Sequence, residues 1–181
     1  MRRRFWILGA VFPLVGILAA PALGQSMSPP AADPADVESI DAIMAAVYDV
    51  ISGAKGEERN WDRFKSLFTP DAKLTSVNRQ ATPYRYSAAT PDEYAERANS
   101  FLVENGFFET ETHRVTEQYG PIAHVFSTYD SRRTEADPEP FARGINSFQL
   151  MHDGERWWVV SIYWTGEGDD LPIPAKYLPG T

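Results

Sequence analysis

Asn60-Trp-Asp-Arg-Phe-Lys-Ser-Leu-Phe-Thr-Pro-Asp-Ala-Lys-Leu-Thr75 is the stretch that decides the fold. Trp61, Phe64, Leu67 and Phe68 recur at helical spacing on one side, Asp62, Arg63 and Lys65 lie on the other, and Pro70 ends the helix. Residues 72–77 follow at once as a strand. A short amphipathic helix that runs without a loop into a strand ties helix and sheet to one core.

Upstream, Asp33-Pro34 has the form of an N-cap followed by proline at the first helical position. Val37, Ile40, Met44, Val47 and Ile51 then predict one helix of some four turns, ended by Gly53 and Gly56. Downstream, residues 78–89 are expected to be irregular, because Pro83 argues against a central strand. Thr90-Pro91-Asp-Glu93 opens a third helix, with Thr90 as cap, the acids at the positive end of the dipole and Asn105-Gly106 as the stop. The period then changes to two, and residues 107–118, 122–132, 142–151 and 156–164 are predicted strands. Three helices followed by an antiparallel sheet is an α+β order.

Asp153-Gly154 is a strong two-residue hairpin signal, since both positions tolerate the positive φ of a type I′ turn. Counting outward pairs Leu150 with Trp157, Phe148 with Val159, Asn146 with Ser161 and Gly144 with Tyr163, all on one face. That face is apolar near the turn and polar further in, as the floor of a small-molecule pocket would be; satisfied core polar groups fit the same pattern. Trp158, Val160, Ile162 and Trp164 make the other face almost continuously apolar. It is expected to be covered by a second copy of the chain, with Arg143 adding a cation–aromatic contact to Trp164, or else by the tail at residues 171–178.

At the N-terminus, Arg2, Arg3 and Arg4 precede an apolar run and the small residues of Ala20-Pro-Ala22 and Gly24. Residues 1–24 therefore read as a signal peptide, residues 25–35 as a disordered linker, and residues 36–178 as a single domain. The expected location is periplasmic or secreted, with no membrane attachment after cleavage. Export by the general secretory route is favoured over the twin-arginine route because the residues flanking the arginines do not complete that signal. Taking those three arginines from the net charge of −8 leaves −11, a balance that argues against nucleic acid or an anionic surface as partner. With 0 cysteines, stability has to come from the core.

The segment 60–75, with the runs 122–129, 144–149 and 156–164, resembles the nuclear transport factor 2-like superfamily, in an exported bacterial branch. Its members include ketosteroid isomerases and SnoaL-like polyketide cyclases. The resemblance spans residues 37–164 and implies a cone: a curved antiparallel sheet packed against three N-terminal helices, commonly paired sheet to sheet. It also implies that ketosteroid isomerases carry a general-base carboxylate a few residues beyond a pair such as Asp71-Ala72. Here that stretch reads Lys73-Leu-Thr-Ser76-Val77, which contains no carboxylate. Scytalone dehydratase, another member, uses histidines with a tyrosine and an acid, which turns attention to His113 and His124. If Tyr119-Gly120 is a two-residue turn, these imidazoles lie diagonally across neighbouring strands. Tyr48-Asp49 on the first helix could reach the cone mouth, and His152 is expected to be exposed.

Three functions remain open. The first is an exported homodimer binding a small apolar molecule in the cone through Asn146, Ser161, Tyr163, Phe148 and Trp157. The second is a cofactor-free lyase or isomerase with His124 as acid/base and Tyr163 as donor. The third is a non-catalytic dimeric assembly module. No metal-ligand spacing, phosphate-binding loop or dinucleotide fingerprint occurs, so no metal or cofactor is expected.

Overall fold

The computed structural model describes residues 28–80 and 82–180; the expected signal peptide at 1–24, its cleavage site and the start of the linker lie outside them. The elements are α1 Pro34–Val37, α2 Ile40–Ile51, α3 Trp61–Ser66, β1 Phe68–Asn78, β2 Arg85–Ala89, α4 Pro91–Asn105, β3 Phe108–Tyr119, β4 Ile122–Arg132, β5 Ala142–His152 and β6 Trp157–Gly166, then a 3₁₀ turn at Ala175–Tyr177. The strands form one sheet in the order β2-β1-β6-β5-β4-β3. This is the α+β cone expected from the sequence, with one difference: β1 runs parallel to β6, so the sheet is mixed.

Local chemistry accounts for the boundaries. The expected first helix is interrupted because the Ser39 side chain accepts the Ala42 amide at 3.0 Å and starts α2 afresh. Ala32 packs on the core, and Asp33 caps α1 through the Ala35 amide at 3.0 Å. Pro70 falls inside β1 and sits where the β1–β6 register breaks, between Phe68 and Lys73, so no ladder donor is lost. Residues 85–89, expected to be irregular, form an edge strand paired with β1. Thr90 and Glu93 complete the capping box of α4, with Glu93 N–H to Thr90 Oγ1 at 3.2 Å and Thr90 N–H to Glu93 Oε2 at 2.9 Å. Arg59, almost wholly buried, closes the other ends: Nε donates to Ile51 O at 2.9 Å, and Nη2 donates to Gly53 O at 2.7 Å and Leu102 O at 3.4 Å.

Helices α2 and α3 lie on the concave inner face, where Ile43, Met44, Phe64, Leu67, Phe68, Val125, Phe148 and Val159 are completely or almost completely buried. The outer face is crossed by the tail. Tyr177 packs on Phe126 at 4.9 Å, its carbonyl accepts from Thr128 Oγ1 at 2.6 Å, and Ile173 is buried. Part of the outer apolar surface is therefore covered within the chain.

The register counted from Asp153-Gly154 is corrected in two steps. Asp153 accepts the amides of Glu155 and Arg156, both at 2.9 Å, which lengthens the turn to residues 153–156 and pairs Leu150 with Val159 rather than Trp157. That shift is even and preserves the faces. Between Gln149 and Leu150 the register then shifts again, with Val160 as the extra residue on β6, and this inverts every later position. Asn146 consequently faces Trp164, and Phe148 faces Ile162, while Ser161 and Tyr163 turn outward. Arg143 pairs with Asp130 at 3.1 Å and Glu167 at 3.5 Å instead of meeting Trp164.

Candidate functional site

The inner face of the cone lines a cavity of about 240 Å³. Val47, Ile51, Phe64, Leu74, Ile162 and Trp164 supply apolar wall, and the polar groups that reach it come from five elements: Tyr48 on α2, Tyr94 on α4, Glu109 on β3, Tyr129 and Ser131 on β4, and Asn146 on β5. Glu109 also lines a neighbouring groove of about 600 Å³ with Tyr48, Asp49, Ser52, Glu111 and Arg132, so its side chain forms a wall common to both spaces.

Glu109 and Glu111 face inward because of a second bulge. Counting back from the β3–β4 turn, residues 109, 111, 113 and 115 would share one face, but Thr112 is an extra residue. Glu111 pairs with Tyr129 and His113 with Thr128, placing the two glutamates inside and His113, Val115 and Glu117 outside.

The hydrogen bonds inside the cone form a directed chain. Ser127 donates its single proton to Glu111 Oε2, so the 2.7 Å contact between Ser127 and Tyr48 must be a donation from the Tyr48 hydroxyl. The Tyr48 oxygen accepts from Asn146 Nδ2 at 3.1 Å, and Asn146 also reaches Glu109 Oε1 at 3.4 Å. Ser131 donates to Glu109 Oε2 at 2.9 Å. Glu111 is neutralised by Arg114, whose Nε lies at 2.6 Å and whose Nη1 continues to Asp41 at 2.6 Å.

Among the described residues no cation pairs with Glu109, and that separates the two acids. Burial pushes its carboxyl up to about 7, opposed by the hydrogen bonds from Ser131 and Asn146. The Tyr94 and Tyr129 phenols are likewise pushed up, by burial first and by the Glu109 charge next. Among the described residues neither hydroxyl has a hydrogen-bond partner. An acid poised near neutrality and two unpaired phenol donors thus share an apolar cavity, the combination needed to exchange a proton with a carbonyl compound. Tyr129 is pressed onto Gly144, where a Cβ would lie 2.5 Å from its hydroxyl and 2.4 Å from Thr165 O; glycine here seats the ring and does not leave an open floor.

Of the residues singled out from the sequence, Asn146 and Phe148 line this cavity. Trp157 is buried on the same face nearer the turn, edge-on to His152 at 5.2 Å. Ser161, Tyr163 and His124 lie on the outer face, away from the cone. His124 and His113 are not diagonal neighbours: they pair with Gln149 or Glu117 and with Thr128 respectively, four positions apart along the β3–β4 ladder. Tyr48 enters the site, whereas Asp49 stays exposed and pairs with Arg63 at 2.5 Å. No cluster of metal-ligating side chains occurs among the described residues.

Sequence reasoning missed Glu109, Tyr94, Tyr129 and Ser131. The available signal was Glu109 itself, a charged residue directly after the apolar pair Phe107-Phe108 at the start of a strand.

No protein-family model and no curated protein sequence matches the chain. Solved structures do. A Nostoc punctiforme protein of unknown function with a cystatin-like fold aligns with a TM-score of 0.56 at 9% identity, over 72% of this chain and 90% of its own. A Novosphingobium aromaticivorans protein provisionally described as a scytalone dehydratase aligns with a TM-score of 0.55 at 15% identity, over 80% and 93%. A Streptomyces avermitilis protein of the NTF2-like family, provisionally described as a dehydratase, aligns with a TM-score of 0.51 at 17% identity, over 77% and 97%. Identities this low speak for the fold alone. With its curled six-stranded sheet, inner helices and the cavity between them, the chain has the nuclear transport factor 2-like fold.

Proposed function

We propose that the protein is an exported, cofactor-free enzyme that binds a small, mainly apolar carbonyl compound inside the cone and moves its proton with Glu109. The observation that carries this reading is the Glu109 carboxyl, raised to about 7 within an apolar cavity that also holds two unpartnered phenols. The ligand's carbonyl oxygen accepts from Tyr94 and Tyr129. The ionised Glu109 takes a proton from the adjoining carbon, and either a β-substituent leaves or the proton returns elsewhere, giving a lyase or an isomerase. Most enzyme and drug sites have volumes of roughly 300–1,000 Å³; a cavity of about 240 Å³ suits a one-ring molecule. The acid/base role expected of His124 passes to Glu109, because His124 does not face the cavity. The dehydratase descriptions of two structural neighbours agree with this chemistry, but at 15% and 17% identity they add nothing beyond the scaffold.

The test is exchange of the α-protons of cyclohex-2-enone in D₂O, followed by NMR. The protein should accelerate exchange, and Glu109→Gln should remove the acceleration. Equal exchange with wild type and Glu109→Gln would overturn the proposal.

The periplasmic or secreted location rests on residues 1–24, and mass spectrometry of the exported chain should find Gln25 at its N-terminus. A homodimer through the part of the outer face that the tail leaves open, around Ile122, Trp158 and Val160, belongs to the same proposal. Exposed Ile122 and Val160 support it. Light scattering on the mature chain should give twice the monomer mass, and a monomer at micromolar concentration would remove it.

A further inference from the structure

The outer face holds a second constellation, independent of the cone. Glu117, His124 and Ser147 lie on adjacent strands β3, β4 and β5 and point to the same side of the sheet. The Ser147 hydroxyl sits 3.0 Å from His124 Nε2, and His124 Nδ1 lies 3.8 Å from Glu117 Oε2. Acid, imidazole and hydroxyl therefore follow one another in space in the order that activates a serine nucleophile. Tyr163 stands directly opposite Ser147 on β6, and its hydroxyl has no partner among the described residues. Ser147 and Tyr163 both open into a groove of about 460 Å³ whose walls include Phe126, Ile145, Leu171 and Tyr177.

We propose that this outer groove is an acyl-transfer site for esters with an apolar acyl chain, with Ser147 as nucleophile, His124 as base, Glu117 as positioning residue and Tyr163 as oxyanion donor. The Ser147 proton passes to His124 Nε2 as Oγ bonds to the ester carbonyl carbon. The C–O bond to the alcohol breaks, and the alcohol leaves with the proton from His124. Water then attacks the acyl-serine, its proton again taken by His124, releasing the carboxylic acid and restoring Ser147. The backbone amides of a central strand are committed to the ladder, which leaves the oxyanion to a side chain. Tyr163 is the side chain on this face placed for it. The groove receives the acyl chain along Phe126 and Tyr177, the rings that the tail brings together at 4.9 Å.

The experiment is labelling of the mature protein with a hexyl fluorophosphonate, read by intact mass and peptide mapping, alongside hydrolysis of p-nitrophenyl butyrate. One adduct is expected, on Ser147, formed at least a hundredfold more slowly in His124→Ala. Tyr163→Phe should lower kcat for the butyrate at least tenfold, and Glu117→Gln should lower kcat severalfold with KM unchanged. No adduct on Ser147, or one that forms at the same rate in His124→Ala, would overturn the proposal and leave the 3.0 Å contact a plain surface hydrogen bond. A fall in KM-dependent binding alone for Glu117→Gln would remove its positioning role.

Discussion

Asn146 on β5 donates to the Tyr48 hydroxyl on α2 at 3.1 Å and reaches Glu109 on β3 at 3.4 Å through the same nitrogen. This amide joins the helix layer to the sheet and the poised carboxyl to the Tyr48–Ser127–Glu111 chain. Replacing it by an apolar residue of similar size leaves two buried oxygens short of a donor.

Asn146→Leu should therefore cost about 1–3 kcal/mol in urea unfolding, the usual penalty for stranding buried polar groups. It should also raise the Glu109 titration midpoint further, because a hydrogen bond that favours the carboxylate is lost. A variant as stable as wild type would show that the network contributes no stability.

Glu109→Gln should be stabilising at high pH. The folded carboxyl holds its proton up to about 7, whereas the unfolded one releases it near the ordinary 4.5 of a solvated glutamate. Across that window the folded state binds more protons, so stability falls as pH rises, by on the order of 3 kcal/mol once both forms are ionised. Glutamine carries no charge to bury. Its melting temperature should exceed that of wild type at pH 8 by on the order of 5–10 °C, converging below pH 4.5. Melting curves that stay parallel across this range would contradict the shift.

Gly144→Ala should destabilise by about 1–3 kcal/mol, as overpacking of a fixed site does. Its Cβ would meet Thr165 O at 2.4 Å and the Tyr129 hydroxyl at 2.5 Å. The ladder holds the carbonyl, so the Tyr129 ring is displaced into the cavity. Urea unfolding gives the loss, and weaker cyclohex-2-enone exchange gives the displaced phenol.

The sequence carried the architecture well and the site poorly. Trp61, Phe64 and Leu67, the Thr90 capping box and the strand periodicity are local signals, and each element they imply is present. The site depends on which face a side chain takes, and that depends on counting. The Asp153 side chain that collects two amides only moves partners along by two, whereas the extra residue at Val160 exchanges the places of Ser161 and Ile162, and of Tyr163 and Trp164. The extra Thr112 does the same on β3 and brings Glu109 and Glu111 inside. Neither bulge has a glycine or proline to announce it, since both arise from long-range pairing. The parallel β1–β6 contact is equally non-local. Asn146 and Phe148 were placed in the cone because β5 itself contains no bulge and its alternation is unbroken.

The most direct measurement is the titration of the Glu109 carboxyl itself, by NMR of protein labelled with ¹³C at the glutamate Cδ and assigned through Glu109→Gln. A midpoint near 7 is expected, with the resonance lost in the variant. A midpoint near 4.5, that of an ordinary solvated glutamate, would leave the cone without a group able to exchange protons at neutral pH and would contradict the proposed chemistry.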